Sequence, residues 1–215
     1  MTVLVFANGN LEEGDWVQPY LVTAPMVIAA DGGSRHLWRL GHLPDVVIGD
    51  LDSLPQHIGE WLQKSGVALI QYPEEKDETD LELALLYAVA HTDELIKVFA
   101  AAGGRLDQTL ANIQLLAHPD LIDQRIELVT AHERAWLVTA ETEIVGETGD
   151  SVSLIPLGGN VRVDRTCGLQ WPLTDETLAF GPARGVSNKM KSGLATVTLI
   201  SGTLLCIHTR KAWNR

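Results

Sequence analysis

Six short, almost unbroken apolar runs punctuate the first 130 residues: TVLVFAN (2–8), MVIAADG (26–32), DVVIGD (45–50), VALIQYP (67–73), ELIKVFAA (94–101) and RIELVTA (125–131). Continuous β-branched and aliphatic runs of this length are the mark of parallel strands covered on both faces. Helical patterns lie between them, near 33–40, 56–65, 79–92 and 107–117. The third is the clearest: TDLELALLYAVA is built from good helix formers, and Thr79 with Glu82 fits a capping box. Strand and helix in alternation predict an open, mostly parallel α/β sheet.

After about residue 132 the pattern changes. AWLVTAETEIVG, DSVSLIPLG, NVRVDRTCG, ETLAFG and ATVTLISGTLLCIHTR are β-rich, punctuated by Gly, Pro, Asn and Asp, and carry no helical period. They predict a second, smaller all-β domain, a sandwich or small barrel. The expected division is 1–132 for the α/β domain and 133–215 for the β domain. With a formal net charge of −12 the chain lacks the basic footprint a nucleic-acid binder needs. Its two cysteines, Cys167 and Cys206, form no CxxC, so neither a disulfide framework nor a zinc site is suggested, and a reducing cytoplasm is expected. MTVLVFANGN reads as a first strand and not a signal peptide, and no apolar stretch approaches a membrane span.

Ligands of open α/β sheets bind beyond the carboxyl ends of the strands. Four consecutive strand ends here carry aspartates: Asp31 in ADGG, Asp50 and Asp52 in GDLDS, Asp77 and Asp80 in DETD, and Asp107 in GGRLDQ. Any one of them reads equally well as a helix cap or turn former. A cap needs one acceptor, however, and GDLDS and DETD each supply two or more. The i, i+2 spacing of Asp50 and Asp52 points both side chains the same way if strand geometry continues. Carboxylates gathered in one crevice repel each other and are costly to desolvate. A hard divalent cation such as Mg²⁺, held by one or two carboxylates and substrate phosphates, removes that cost. It would also let an acidic protein bind polyphosphate, helped by Gly103, Gly104, the following helix N-terminus and Arg105. There is no Walker loop and no GxGxxG fingerprint.

ADGG, GDLDS, KDETD, GGRLDQ, GLQWPL and GVSN, in this order and over nearly the whole chain, resemble thiamine pyrophosphokinases of the bacterial type. The resemblance implies an α/β domain, a β-sandwich, a homodimer with active sites between subunits, and transfer of pyrophosphate from ATP to the hydroxyl of thiamine, giving thiamine diphosphate and AMP. It assigns Asp50, Asp52 and Asp80 to metal and catalysis, Asp31 and Gly32 to the same pocket, and Thr79, Arg105, Asp107 and Gln108 to ATP. Trp171 would stack on thiamine, with Ser187 and Asn188 touching it. Val186 stands where the family often has Ser or Thr, and Lys76 where some members carry an uncharged residue. From the residues alone, Trp171 reads more readily as a core tryptophan, and GVSNKMKSG as a hairpin loop. Asp52 and Asp80 are the candidates to accept the alcohol proton. Two other readings follow from the same residues: another metal-dependent phosphotransferase or nucleotide hydrolase, and a non-catalytic sensor of thiamine or nucleotide.

Overall fold

A computed structural model describes residues 2–12, 14–52 and 54–211. The chain divides into two compact units, Met1–Ala131 and His132–Arg215. The first unit runs β1 (Thr2–Phe6), α1 (Gln18–Thr23), β2 (Val27–Ala30), α2 (Ser34–Arg39), β3 (Val46–Gly49), α3 (Gln56–Lys64), β4 (Ala68–Gln71), α4 (Asp80–His91), β5 (Leu95–Phe99), α5 (Leu106–Leu115) and β6 (Ile126–Val129). Its strands are parallel in the order β4-β3-β2-β1-β5-β6. From β1 the chain therefore builds outward through β2, β3 and β4, then returns to the opposite side of β1 to add β5 and β6. The space between β1 and β5 is the topological switch point where such sheets open a ligand crevice.

β1 and β2 are buried along nearly their whole length, which is why they read as continuous apolar runs. The core on one face joins Leu4, Phe6, Leu37, Val47, Leu62 and Phe99, with the Phe6 and Phe99 rings stacked at 5.1 Å between centroids. β4 departs from the expectation of two covered faces. It is the sheet edge, and only Ile70 within it is even partly buried. Apolar composition cannot tell a central strand from an edge strand, because strand order is not a local property. A 3₁₀ turn at Gly14–Val17 and helix α1 follow β1, and the apolar pattern did not predict either. They supply Val17 and Leu21 to the core, but with Pro19 near the start and only six residues, α1 is too short for a helical period to be visible.

The second unit is a β-sandwich. Its strands are β7 (Glu133–Val138), β8 (Glu141–Val145), β9 (Ser151–Pro156), β10 (Val161–Cys167), β11 (Thr174–Leu178), β12 (Asn188–Lys189), β13 (Leu194–Ser201) and β14 (Leu204–Thr209). One sheet has the order β12-β9-β14-β7 and the other β11-β10-β13-β8, all antiparallel. The two longest β-rich segments of the sequence each fold as two strands in different sheets, β7 into β8 and β13 into β14. Their inward residues, among them Val138, Ile144, Val163, Val197, Leu204 and Cys206, form one core. Burial pushes the Cys206 thiol up to about 12, so it is a core residue and not a nucleophile. No described helix is long and apolar enough to cross a membrane.

Candidate active site

The strand ends of the first unit meet in a crevice of about 550 Å³ at the switch point. Asn8, Gly9 and Asn10 contribute from the end of β1, Asp31 from β2, Lys76, Thr79 and Asp80 from the approach to α4, and Gly103, Gly104, Arg105 and Gln108 from the approach to α5. The sequence reading missed the first group. ANGN follows the first strand as ADGG follows the second, so the same glycine-flanked strand end was there to be found.

Close approach of these loops explains two glycines. Gly9 donates its N–H to the Ala100 carbonyl at 2.8 Å, and a Cβ on Gly9 would stand 2.4 Å from that oxygen. At Gly33 a Cβ would stand 1.9 Å from the Phe6 carbonyl oxygen. Gly32 lies buried beside it in a 3₁₀ turn led by Asp31. Buried His36 on α2 lies with Nε2 2.9 Å from the Gly9 carbonyl, and buried Asn112 on α5 donates to the Ala101 carbonyl at 2.8 Å. Burial holds the His36 imidazole below its ordinary value, so the neutral ring with Nε2–H donating pins the β1 loop. Three residues without glycine's freedom adopt positive φ at strand ends: Asp31 at 40°, Leu51 at 63° and Ala100 at 55°. Such conformations cost of order 1–3 kcal/mol each and gather where function constrains the backbone.

Gly49, at the end of β3, stands between two of the predicted carboxylates: a Cβ there would meet Asp31 Cβ at 2.7 Å and Asp80 Cγ at 3.2 Å. Strand geometry does not continue past Gly49. Leu51 turns left-handed, and Asp50 Oδ1 accepts the Asp52 N–H at 3.2 Å. Asp50 and Asp52 are brought together by a turn and not by a shared strand face. The turn-former reading thus holds for Asp50, and forming the turn leaves its Oδ2 within 4.0 Å of the Lys76 ammonium. Ser53 of the same motif lies outside the described residues.

Lys76 enters this group from the side. Its Nζ lies 3.0 Å from Asp80 Oδ1 and 4.0 Å from Asp50 Oδ2. Asp80 Oδ1 is buried and the contact is off hydrogen-bond alignment, so the pair is electrostatic in character. Burial pushes the Asp80 carboxyl above its ordinary value despite the pull of Lys76. A hydrogen bond shared with Asp50 pushes Asp52 up, with the nearby charges of Asp50, Glu74 and Asp31 adding to the effect. Burial alone would lower the Lys76 ammonium; its contact with Asp80 and the charges of Asp80, Asp50 and Asp31 outweigh that and raise it. Among the described residues, no group of three or more His, Cys, Asp or Glu closes into a metal-ligating set.

The other predicted residues divide by position. Thr79 caps α4, its side chain accepting the Glu82 N–H at 3.1 Å, while also lining the crevice. Asp107 lies inside the first turn of α5 and not at its N-cap position, yet its Oδ1 does satisfy a backbone donor there, accepting the Gln108 N–H at 2.9 Å, and it also accepts from Arg105 Nε at 3.0 Å. Gln108 lines the crevice. In the sandwich unit Trp171 is exposed at 56%, contrary to the core reading its type suggests. Asn188 is buried beneath it. Its Oδ1 accepts the Trp171 N–H at 3.1 Å and its Nδ2 donates to the Trp171 carbonyl at 2.6 Å. Ser187 is exposed with φ of 63° and donates its N–H to Ser153 Oγ at 3.1 Å. Where the sequence suggested a hairpin loop, Asn188–Lys189 form the short edge strand β12 paired with β9.

Comparisons with known proteins bear on both units. Residues 17–130 match the family model described as "Thiamin pyrophosphokinase, catalytic domain", and residues 140–204 match "Thiamin pyrophosphokinase, vitamin B1 binding domain". The thiamine pyrophosphokinase of Bacillus subtilis (strain 168) is 29% identical over 184 residues, covering 85% of this chain and 86% of the relative. Thiamine pyrophosphokinase 1 of Arabidopsis thaliana is 28% identical over 218 residues, covering 87% of this chain and 79% of the relative. The crystal structure of the B. subtilis enzyme superposes with a TM-score of 0.86 at 27% identity, covering 98% of this chain and 99% of that one. The first family match alone spans just over half of the chain, and with the second it takes in most of both units: the chain belongs to the thiamin pyrophosphokinase family.

Proposed function

We propose that the crevice of the first unit binds ATP together with Mg²⁺, that the exposed face of Trp171 takes thiamine, and that the residues named above carry the reaction of the family. That reaction moves a pyrophosphoryl group from ATP to the hydroxyl of thiamine, giving thiamine diphosphate and AMP. The observation that carries the assignment is the convergence, at one switch-point crevice, of Asp31 and Asp80 with the Gly103–Gly104–Arg105 loop, with Asp50 4.0 Å from the Lys76 ammonium that lines the same crevice. Acid on one wall and a glycine-rich loop with a guanidinium on the other suit a metal-bound polyphosphate and no neutral ligand.

The donor set fits a hard cation. The carboxylates surround one positive charge, and Asp80 Oδ1 is buried without an aligned hydrogen bond. Asp50, Asp52 and Asp80 would hold Mg²⁺, which when bound neutralises charge on the phosphates. Arg105 and the N-terminal turn of α5 orient the polyphosphate. Attack at the β-phosphorus, and not the γ, is then a matter of where the alcohol is held. Asp80 is engaged by Lys76, whereas Asp52 is exposed and has no cationic partner among the described ion pairs, which favours Asp52 as acceptor of the thiamine alcohol proton. Asn188 acts on thiamine through Trp171, because its amide is spent on that residue's backbone. The flat face of Trp171 suits an aromatic, cationic ligand. A cytoplasmic homodimer with active sites between subunits completes the reading on the strength of the family resemblance.

Incubation of the purified protein with ATP, Mg²⁺ and thiamine tests this. AMP with thiamine diphosphate is the expected product pair. ADP or free phosphate would point to another phosphotransferase or hydrolase, and tight binding without turnover to a sensor. Asp52→Asn should abolish turnover in a folded protein; normal activity in that variant would sink the assignment of Asp52.

A further inference from the structure

We propose that Lys76 is a tethered counter-ion that occupies the cation position of the crevice until a divalent metal displaces it. The inference rests on reading the crevice as a metal–nucleotide site. The segment Gln71–Glu78 carries Glu74, Glu75, Asp77 and Glu78, and all its residues are exposed except Lys76. The one basic side chain of that segment turns inward, leaving its side chain 11% exposed. Its Nζ donates to the Pro73 carbonyl at 3.3 Å, which fixes the ammonium against its own loop. From there it reaches Asp80 at 3.0 Å and Asp50 at 4.0 Å, two of the three carboxylates assigned to metal.

An ammonium and a divalent cation cannot share the same two carboxylates without strong repulsion. The flexible four-carbon stem of lysine allows the head to leave while the loop stays in place. Lys76 thus makes the metal-free crevice tolerable, because it offsets the repulsion among Asp31, Asp50 and Asp80. The consequence is weaker metal binding than those carboxylates alone would give. Once displaced, the ammonium remains in a crevice whose other wall is Gly103, Gly104 and Arg105, where an anionic phosphate chain would hold it.

Mn²⁺ titration of the nucleotide-free protein, read by electron paramagnetic resonance and calorimetry, tests the exchange. Lys76→Met and Lys76→Gln should each bind Mn²⁺ about tenfold more tightly than the unsubstituted protein, equivalent to about 1.4 kcal/mol. Their metal-free melting temperatures should fall, and the deficit should vanish at saturating Mn²⁺. Lys64→Met, which removes an exposed lysine paired with Glu60 on α3, should leave Mn²⁺ affinity unchanged. Unchanged or weaker Mn²⁺ binding by folded Lys76 variants overturns the inference, as does equal tightening in Lys64→Met. Asp80→Asn separates the two levels. If it loses Mn²⁺ while the Lys76 variants bind as before, only the role of Lys76 falls. If it binds Mn²⁺ normally, the metal site itself falls.

Discussion

Replacing Gly9 by alanine should damage the crevice without touching a single charged group. A Cβ at Gly9 would stand 2.4 Å from the Ala100 carbonyl oxygen and 2.8 Å from that of Ala102. Both are backbone atoms of the loop after β5 and cannot rotate away. The β1 and β5 loops would have to part, and two hydrogen bonds join them there: Gly9 N–H to Ala100 at 2.8 Å and Asn10 N–H to Ala102 at 3.0 Å. Each such bond contributes about 1 kcal/mol net, and forcing atoms into a packed contact costs about 1–3 kcal/mol. Because the loops relieve the clash by giving up the bonds, the two costs do not add fully, and about 2–4 kcal/mol is expected. In a protein of this size that lowers the melting temperature by roughly 4–16 °C. ATP binding should weaken further, since the separating loops line the site. Gly59→Ala provides the opposite case. Gly59 lies inside α3 with nothing within 4 Å of a Cβ, so alanine should stabilise the helix by about 0.8–1 kcal/mol. Thermal melts and ATP titrations of both variants decide the matter. A Gly9→Ala protein that melts and binds ATP like the parent would refute the close-approach argument, and a destabilised Gly59→Ala would refute the geometric basis of the comparison.

Two further outcomes follow from the sandwich unit. If the exposed ring of Trp171 takes thiamine as proposed, Trp171→Ala should raise the KM for thiamine about tenfold while leaving the KM for ATP unchanged, measured by steady-state kinetics. Asn188→Ala should shift the KM for thiamine in the same direction and also lower the melting temperature, since it leaves the Trp171 backbone groups without their buried partner. Buried Asp150 accepts from Glu147 N–H at 2.8 Å, Lys211 N–H at 2.7 Å and His208 Nε2 at 2.8 Å. Burial works against its charge, but these donors outweigh it and hold the carboxyl below its ordinary value. A lowered folded value means the unfolded chain takes up the proton first as pH falls. The contribution is therefore complete above the ordinary carboxylate value near 3.8 and is lost below it. Asp150→Asn should cost about 2 kcal/mol at neutral pH and flatten the acid limb of a stability–pH curve measured by urea unfolding.

The sequence by itself determined the local elements and the chemistry available to them. Apolar runs of strand length, the Thr79 cap and the aspartates at four strand ends are properties of neighbouring residues, so they could be read without a fold. The family resemblance, carried by motifs in order, then named the reaction that carboxylates alone could not. What depended on strand order was decided by tertiary structure. Only the return of the chain to the far side of β1 brings ANGN beside Gly103 and Gly104. Only the sheet edge exposes β4, whose apolar residues look like those of a central strand. The turn at Leu51, not strand periodicity, joins Asp50 to Asp52. The inward direction of Lys76 and the burial of Asn188 beneath an exposed Trp171 reverse what their residue types suggest. The physical reason is the same in each case. Burial and pairing are set by what the rest of the chain brings alongside, and a neighbour distant in sequence leaves no mark on the local pattern.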